Sequence, residues 1–196
     1  MIEKKIIKAK KDEFATKEFI KKEIGKGKIS SIKIERTPIG EKIIIRTSKP
    51  GLVIGKGGES IQDLTSVLKK KFNLENPKLE ISEIEKPEFD SQTIADEIAL
   101  SLERFGSNSF KIIAYRTLEK VKRAGALGCE IILSGKLPGE KARAWRFFYG
   151  YLMKTGESAK LVDRAKAVAQ TKPGSVGVKV AILSPDVKLP DKIEVK

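Results

Sequence analysis

Apolar residues change their spacing several times along the chain, and each change marks a predicted element. Phe14, Ala15, Phe19, Ile20 and Ile24 recur at close to helical spacing, which predicts a helix over residues 14–24, with Asp12 as its cap and Gly25 as its stop. The period then shortens. Ile29, Ile32 and Ile34 predict a first strand ending at Thr37-Pro38, where proline cannot continue a ladder. Ile39-Gly40-Glu41 makes a turn into Lys42-Ile43-Ile44-Ile45-Arg46-Thr47, which is β-branched and short enough for a buried strand. Pro50 restarts the chain as a short helical segment that runs into a glycine-rich loop. After the loop, Ile61, Leu64, Thr65, Leu68 and Phe72 share one face of another helix, with Glu59 and Lys69-Lys70-Lys71 complementing its dipole. Leu79, Ile81 and Ile84 predict a third strand, closed by Pro87.

The second half opens on an acidic stretch. Residues 88–103 hold Glu88, Asp90, Asp96, Glu97 and Glu103 with no basic residue, yet Ile94, Ala95, Ile98, Leu102 and Phe105 form an apolar stripe. The pattern predicts a helix at the domain boundary, capped by Asp90 or Ser91 and stopped at Gly106. A further helix begins near Asn108, with Phe110, Ile113, Ala114, Thr117, Leu118, Val121 and Ala124 on its inner face. Residues 129–134 and 175–183 read as strands of a small sheet, and the tail after Pro185 as poorly packed. The whole is α+β: a first domain over residues 1–87, a second α/β two-layer domain over 88–184 and a short tail over 185–196.

The glycine loop is the first candidate for chemistry. Gly55-Lys56-Gly57-Gly58 follows the apolar Leu52-Val53-Ile54 and opens a helix. Glycines there permit positive φ and expose backbone N–H groups, and the helix start that follows suits phosphate. A Walker A loop is excluded, because Gly51 to Gly55 is one residue short and Gly57 stands where a hydroxyl must reach the metal. A dinucleotide loop is excluded by Ser60 at its last glycine position. A KH-type loop, which clamps single-stranded backbone, matches, and helix–strand–strand order ahead of it specifies the prokaryotic (type II) arrangement.

Charge extends that reading. Lysine and arginine number 40 against 26 acidic residues, a formal net charge of +14 that favours polyanions. No apolar run is long enough to span a bilayer, and the start, Met1-Ile2-Glu3-Lys4-Lys5, has no apolar signal core, so a cytoplasmic binding protein with no membrane partner is expected. With no histidine and one cysteine, Cys129, the chain has neither an intramolecular disulfide nor a zinc site of the usual kind. No metal, cofactor, catalytic residue or small-molecule substrate is expected.

Two further basic tracts carry the RNA-contact candidates. Lys111, Arg116, Lys120, Lys122 and Arg123 spread over the outer face of the helix after Asn108, with Glu119 as its only acid. Lys136, Lys141, Arg143 and Arg146 lie in a tract that interleaves cations with small and aromatic residues. Within it, Trp145, Phe147 and Phe148 are assigned to the core. The acidic helix would repel RNA and is expected to face protein.

These residues together resemble one family, small-subunit ribosomal protein three in its archaeal and eukaryotic branch. The resemblance rests on Ile43-Ile44-Ile45-Arg46-Thr47, Val53-Ile54-Gly55-Lys56-Gly57-Gly58 and Leu64-Thr65-Ser66-Val67, then on Gly125-Ala126-x-Gly128-Cys129-Glu130, Ser134-Gly135-Lys136-Leu137 and Gly177-Val178-Lys179-Val180. It runs from about residue 5 to 184. It implies a non-enzymatic protein of the small-subunit head, partnered by small-subunit ribosomal RNA and neighbouring head proteins, near incoming mRNA. In the bacterial branch, basic residues on the first helix of the second domain line mRNA entry. Lys111 and Arg116 match that pattern, whereas Ile112 and Tyr115 stand where it has cations, so an unwinding role would fall to Lys120, Lys122 and Arg123. The tail is shorter than in eukaryotic members. Two other classes stay open on the residues alone: a free-standing KH regulator or assembly factor, and an enzyme acting through a lysine nucleophile.

Overall fold

The computed structural model describes residues 2–37, 40–72, 74 and 77–187. Contacts divide the chain into two compact units, Met1–Glu85 and Lys86–Lys196. The predicted turn at Pro38-Ile39 and the tail beyond Val187 lie outside the described residues.

The first unit opens with helix α1 (Ile2–Ile24), which starts well before the predicted Phe14. Asp12 is therefore interior and caps nothing. The early turns are rich in lysine, a good helix former, and their Ile2, Ile6 and Ile7 are exposed, so i,i+3 and i,i+4 pairs support the helix without burial. Lys10 and Lys17 both donate to Glu13 at 2.8 Å. Gly25 does end the helix, at φ +90, with its N–H on the Lys21 carbonyl at 3.1 Å.

Strands β1 (Ser31–Thr37) and β2 (Gly40–Thr47) pair antiparallel, and β3 (Lys78–Glu83) pairs parallel with β2. Register aligns Ile32 with Ile45, Ile34 with Ile43, and Ile43 with Leu79, so one sheet face is apolar. Ile20 and Ile24 of α1 and Leu64 and Leu68 of α3 (Glu59–Phe72) complete this core. Parallel strands cannot be joined by a hairpin. The crossover from β2 to β3 carries α2 (Pro50–Ile54), the glycine loop and α3. Buried Thr47 fixes its departure: its Oγ1 donates to the Lys28 carbonyl at 2.5 Å and accepts the Lys49 N–H at 3.1 Å.

The second unit begins with α4 (Ser91–Phe105). Asp90 caps it by accepting the Thr93 N–H at 2.8 Å, and Gly106 ends it at φ +81. Next come α5 (Phe110–Arg123), β4 (Gly128–Gly135), β5 (Arg143–Gly150), β6 (Asp163–Thr171) and β7 (Gly174–Leu183). The antiparallel sheet runs β5-β4-β7-β6, with α4 across β6 and β7 and α5 across β4 and β5. Cys129, Ile131 and Leu133 of β4 and Val176, Val178, Val180 and Ile182 of β7 point into the helices. Alanines at 165 and 169 of β6 meet alanines at 95 and 99 in that core, small side chains that suit the close seat of α4.

Several expectations need correction. Strands β5 and β6 escape the sequence pattern, because arginine, lysine and glutamine alternate there with alanine and aromatics rather than with aliphatics. Phe105 and Ala124, assigned to inner helix faces, are exposed, since each stands at its helix's last turn beyond the sheet. Phe148, assigned to the core, is 69% exposed. The strand period places Phe147 inside and Phe148 outside, and Trp145 lies at the rim, 38% exposed. The acidic helix α4 buries its apolar stripe against its own sheet. The start of the tail is packed: Val187 joins a small cluster of Met153, Val162 and Leu183.

Ile131 is fully buried at the centre of β4. Ile131→Ala is expected to cost about 2–5 kcal/mol in urea unfolding. At the other end of the chain, the Lys10 and Lys17 ammoniums hold the Glu13 carboxyl down at about 2. That contribution to α1 is complete above the ordinary carboxylate pKa and is lost as pH falls from there towards about 2. An acid titration followed by circular dichroism should show this loss in the wild type and not in Glu13→Gln.

Candidate nucleic-acid interface

The glycine loop projects from the crossover with its tip bare. Gly55 has φ +76, and the turn Lys56–Gly58 carries Gly57 at φ +62 and Gly58 at φ +83, all in the region that favours glycine. Lys56 and Gly57 are exposed, and nothing lies within 4 Å of where a side chain at Gly57 or Gly58 would begin. A Cβ at Gly55, in contrast, would sit 2.3 Å from Ser60 Oγ and 2.9 Å from Ser60 Cβ. Gly55 thus packs the loop onto the first turn of α3, while Gly57 and Gly58 leave space for an approaching backbone. The N-terminal N–H groups of α3 follow directly, and Val53, 2% exposed, pins the preceding turn to the core.

In the second unit, the expected contact residues divide between two surfaces. Lys111, Arg116, Lys120, Lys122 and Arg123 are all exposed on α5. Lys120 donates to Glu97 of α4 at 2.9 Å, and Arg123 pairs with Glu119 at 2.7 Å. Among the described residues, Lys111, Arg116 and Lys122 have no carboxylate partner. Two of them instead lie over aromatic rings at the β5 edge: Lys111 Nζ is 4.9 Å from the Trp145 ring and Lys122 Nζ is 5.0 Å from Tyr149. Tyr115 meets Phe147 edge-on at 5.1 Å between them. A cleft of about 1150 Å3 between α4 and α5 is lined by Arg104, Arg116, Arg123 and Lys86, with Glu88, Glu97 and Glu119 among them.

Strand alternation separates the second basic tract. Lys136 and Lys141 are exposed in the β4–β5 connection. Arg143 shares the side of β5 that carries Trp145 and Phe147, whereas Arg146 points to the uncovered side with Phe148. There Arg146 ion-pairs with Glu130 and places its guanidinium 5.3 Å from the Phe148 ring. The sequence pattern does not join Arg146 to Arg164, Lys166 and Lys179. Register brings them onto the same uncovered face. Alternating cations at Arg164 and Lys166 were the available signal.

Other chemistries find little support among the described residues: no group of three or more histidine, cysteine, aspartate or glutamate side chains is arranged to hold a metal, and no helix is long and apolar enough to cross a membrane. Burial, with Glu130 nearby, pushes the Cys129 thiol up to about 12, so it is a core residue and no nucleophile.

Residues 15–89 match the family described as KH domain, and residues 98–182 match Ribosomal protein S3, C-terminal domain. The chain is 44% identical over 197 residues to small ribosomal subunit protein uS3 of Methanocaldococcus jannaschii, covering all of this chain and 94% of that protein. It belongs to the uS3 family. The uS3 protein of Archaeoglobus fulgidus is 42% identical over 196 residues, with 100% and 84% covered. That of Halobacterium salinarum is 38% identical over 180 residues, where the chain spans 91% of itself but 59% of the longer relative. Members of the uS3 family are structural and non-enzymatic, and they belong to cytoplasmic ribosomes.

The two classes of loop glycine should separate in stability. Gly55→Ala is expected to cost more in urea unfolding than Gly58→Ala, which bears only backbone strain of about 1–2 kcal/mol. Equal costs would mean that Ser60 yields without penalty.

Proposed function

We propose that the chain is a structural component of the small ribosomal subunit that binds ribosomal RNA in the head, contacts neighbouring head proteins and borders mRNA entry with α5. The observation that carries this reading is the pairing of an open Gly-x-x-Gly turn in one unit with an exposed, largely unneutralised cationic helix in the other, within a uS3 chain. Gly55, Lys56, Gly57 and Gly58 supply close backbone approach and one cation. Among the described residues, no carboxylate pairs with Lys111, Arg116 or Lys122. The surface pairs of Lys120 and Arg123 are worth little in water and exchange readily for phosphate. Lys136, Lys141, Arg143 and Arg146 extend the basic surface. Ile112 and Tyr115, 72% and 61% exposed, interrupt the cations of α5 with apolar area, so contact with message here combines fewer charges with apolar contact.

Crosslinking of assembled small subunits tests the reading, with RNA crosslinks mapped to peptides around Lys56, Lys111 and Arg143. Crosslinks to ribosomal RNA and to incoming message are the expected result; a protein that binds RNA but never enters the subunit would be a free-standing KH regulator instead. The loop has its own test. Lys56→Asp with Gly57→Asp should weaken RNA binding and leave the circular dichroism spectrum intact, since aspartate tolerates φ near that of Gly57. Unchanged affinity in the folded variant would make the loop purely structural.

A further inference from the structure

The sheet of the second unit has both helices on one face. Among the described residues no helix covers its other face, and only the segment 152–154 lies along it, where Arg164 donates to the Met153 carbonyl at 3.4 Å and Lys154 pairs with Glu130. Across the strands, register sets Arg146 opposite Ile132, Ile132 opposite Lys179, and Lys179 opposite Lys166. Arg146, Lys179 and Lys166 are exposed. Like charges directly opposite one another on a sheet are destabilising. Among the described residues Lys166 and Lys179 have no carboxylate partner, although each side chain is open to solvent. One acid, Glu130, faces this surface, and Arg146 and Lys154 both pair with it. Arg164 adds a further exposed cation beside Lys166.

The surroundings of this cationic row fit a chain of phosphates with unpaired bases. On one side stands Phe148, 69% exposed, in the row of Glu130, Ala181 and Arg164. On the other side lies a low row of Ala144, Ser134, Gly177 and Val168, where short side chains permit close approach. A shallow cleft of about 330 Å3 runs over the face between Lys154, Arg164 and Lys179. An acidic protein would satisfy the charge, but an exposed ring beside a line of cations is what base stacking along a strand requires.

We propose that this uncovered sheet face is a second RNA-binding surface, taking the phosphates of a single-stranded RNA segment along Arg146, Lys179 and Lys166 and an unpaired base on Phe148. It rests on the reading of the chain as an RNA-binding ribosomal protein and adds a surface to it. The test uses the full chain, a uridine-rich single-stranded RNA carrying 4-thiouridine, and binding measured across a salt series. Lys166→Gln with Lys179→Gln should lower the magnitude of the log–log salt slope by about 1.4, at about 0.7 per single-strand phosphate contact. Ultraviolet crosslinks should map to the peptide containing Phe148 and vanish in Phe148→Ala. Because the substitution removes opposed charges, the free double variant should melt no lower than the wild type. An unchanged slope with no crosslink at Phe148, while Lys56→Asp with Gly57→Asp weakens binding, overturns the sheet-face proposal and leaves the RNA reading standing. Loss of uptake into subunits with an unchanged salt slope also overturns it, in favour of a protein-facing surface. A wild-type chain that binds no RNA at all overturns both.

Discussion

Each unit covers one face of its sheet with two helices, and the strand period of two then sends every second side chain to the uncovered face. That constraint decides which residues form the core and which are left for partners. In the second unit it sends Ile131, Leu133, Val178 and Val180 into the helices and Arg146, Phe148, Lys166 and Lys179 outward. In the first it sends Ile43 and Ile45 inward and leaves Lys42, which pairs with Glu80, on the outer side. A slip of one residue in either register would exchange these sets, so burial of the apolar set holds the cations in place.

The same economy positions the glycine loop. Parallel pairing of β2 with β3 demands a long crossover, and the crossover is where an exposed loop can stand on two helices without breaking the ladder. Thr47 and Val53 hold the approach, and Gly55 seats the turn against Ser60. What remains at the tip, Lys56 to Gly58, is free of packing duties.

Net charge alone says little about where a polyanion would lie, because the cations are unequal. On α5, Lys120 and Arg123 have carboxylate partners, Lys111 and Lys122 rest on aromatic rings, and Arg116 lines a cleft shared with acids. On the sheet face, Glu130 is engaged by two cations, which leaves Lys166 and Lys179 opposed. These differences arise between elements distant in sequence.

Local chemistry was sufficient for much of the molecule. Gly25, Asp90 and Gly106 mark helix ends because their conformations and caps act over a few residues, and the stripes of α3, α4 and α5 are visible because aliphatic residues repeat at helical spacing. The Gly-x-x-Gly turn, its helix and the paired tracts on either side of the domain boundary were likewise legible, and they carry the family. Strands β5 and β6 were not, since their inward positions are alanine or aromatic and their outward ones charged, a pattern that becomes a strand only when β4 and β7 supply partners. The extra turns of α1 rest on propensity and lysine–glutamate pairs, and their Ile2, Ile6 and Ile7 stay exposed rather than joining the core. Which cations share a face was decided by tertiary structure alone: Arg143 and Arg146 are near in sequence yet point apart, whereas Arg146, Lys166 and Lys179 are far apart in sequence and meet through strand register.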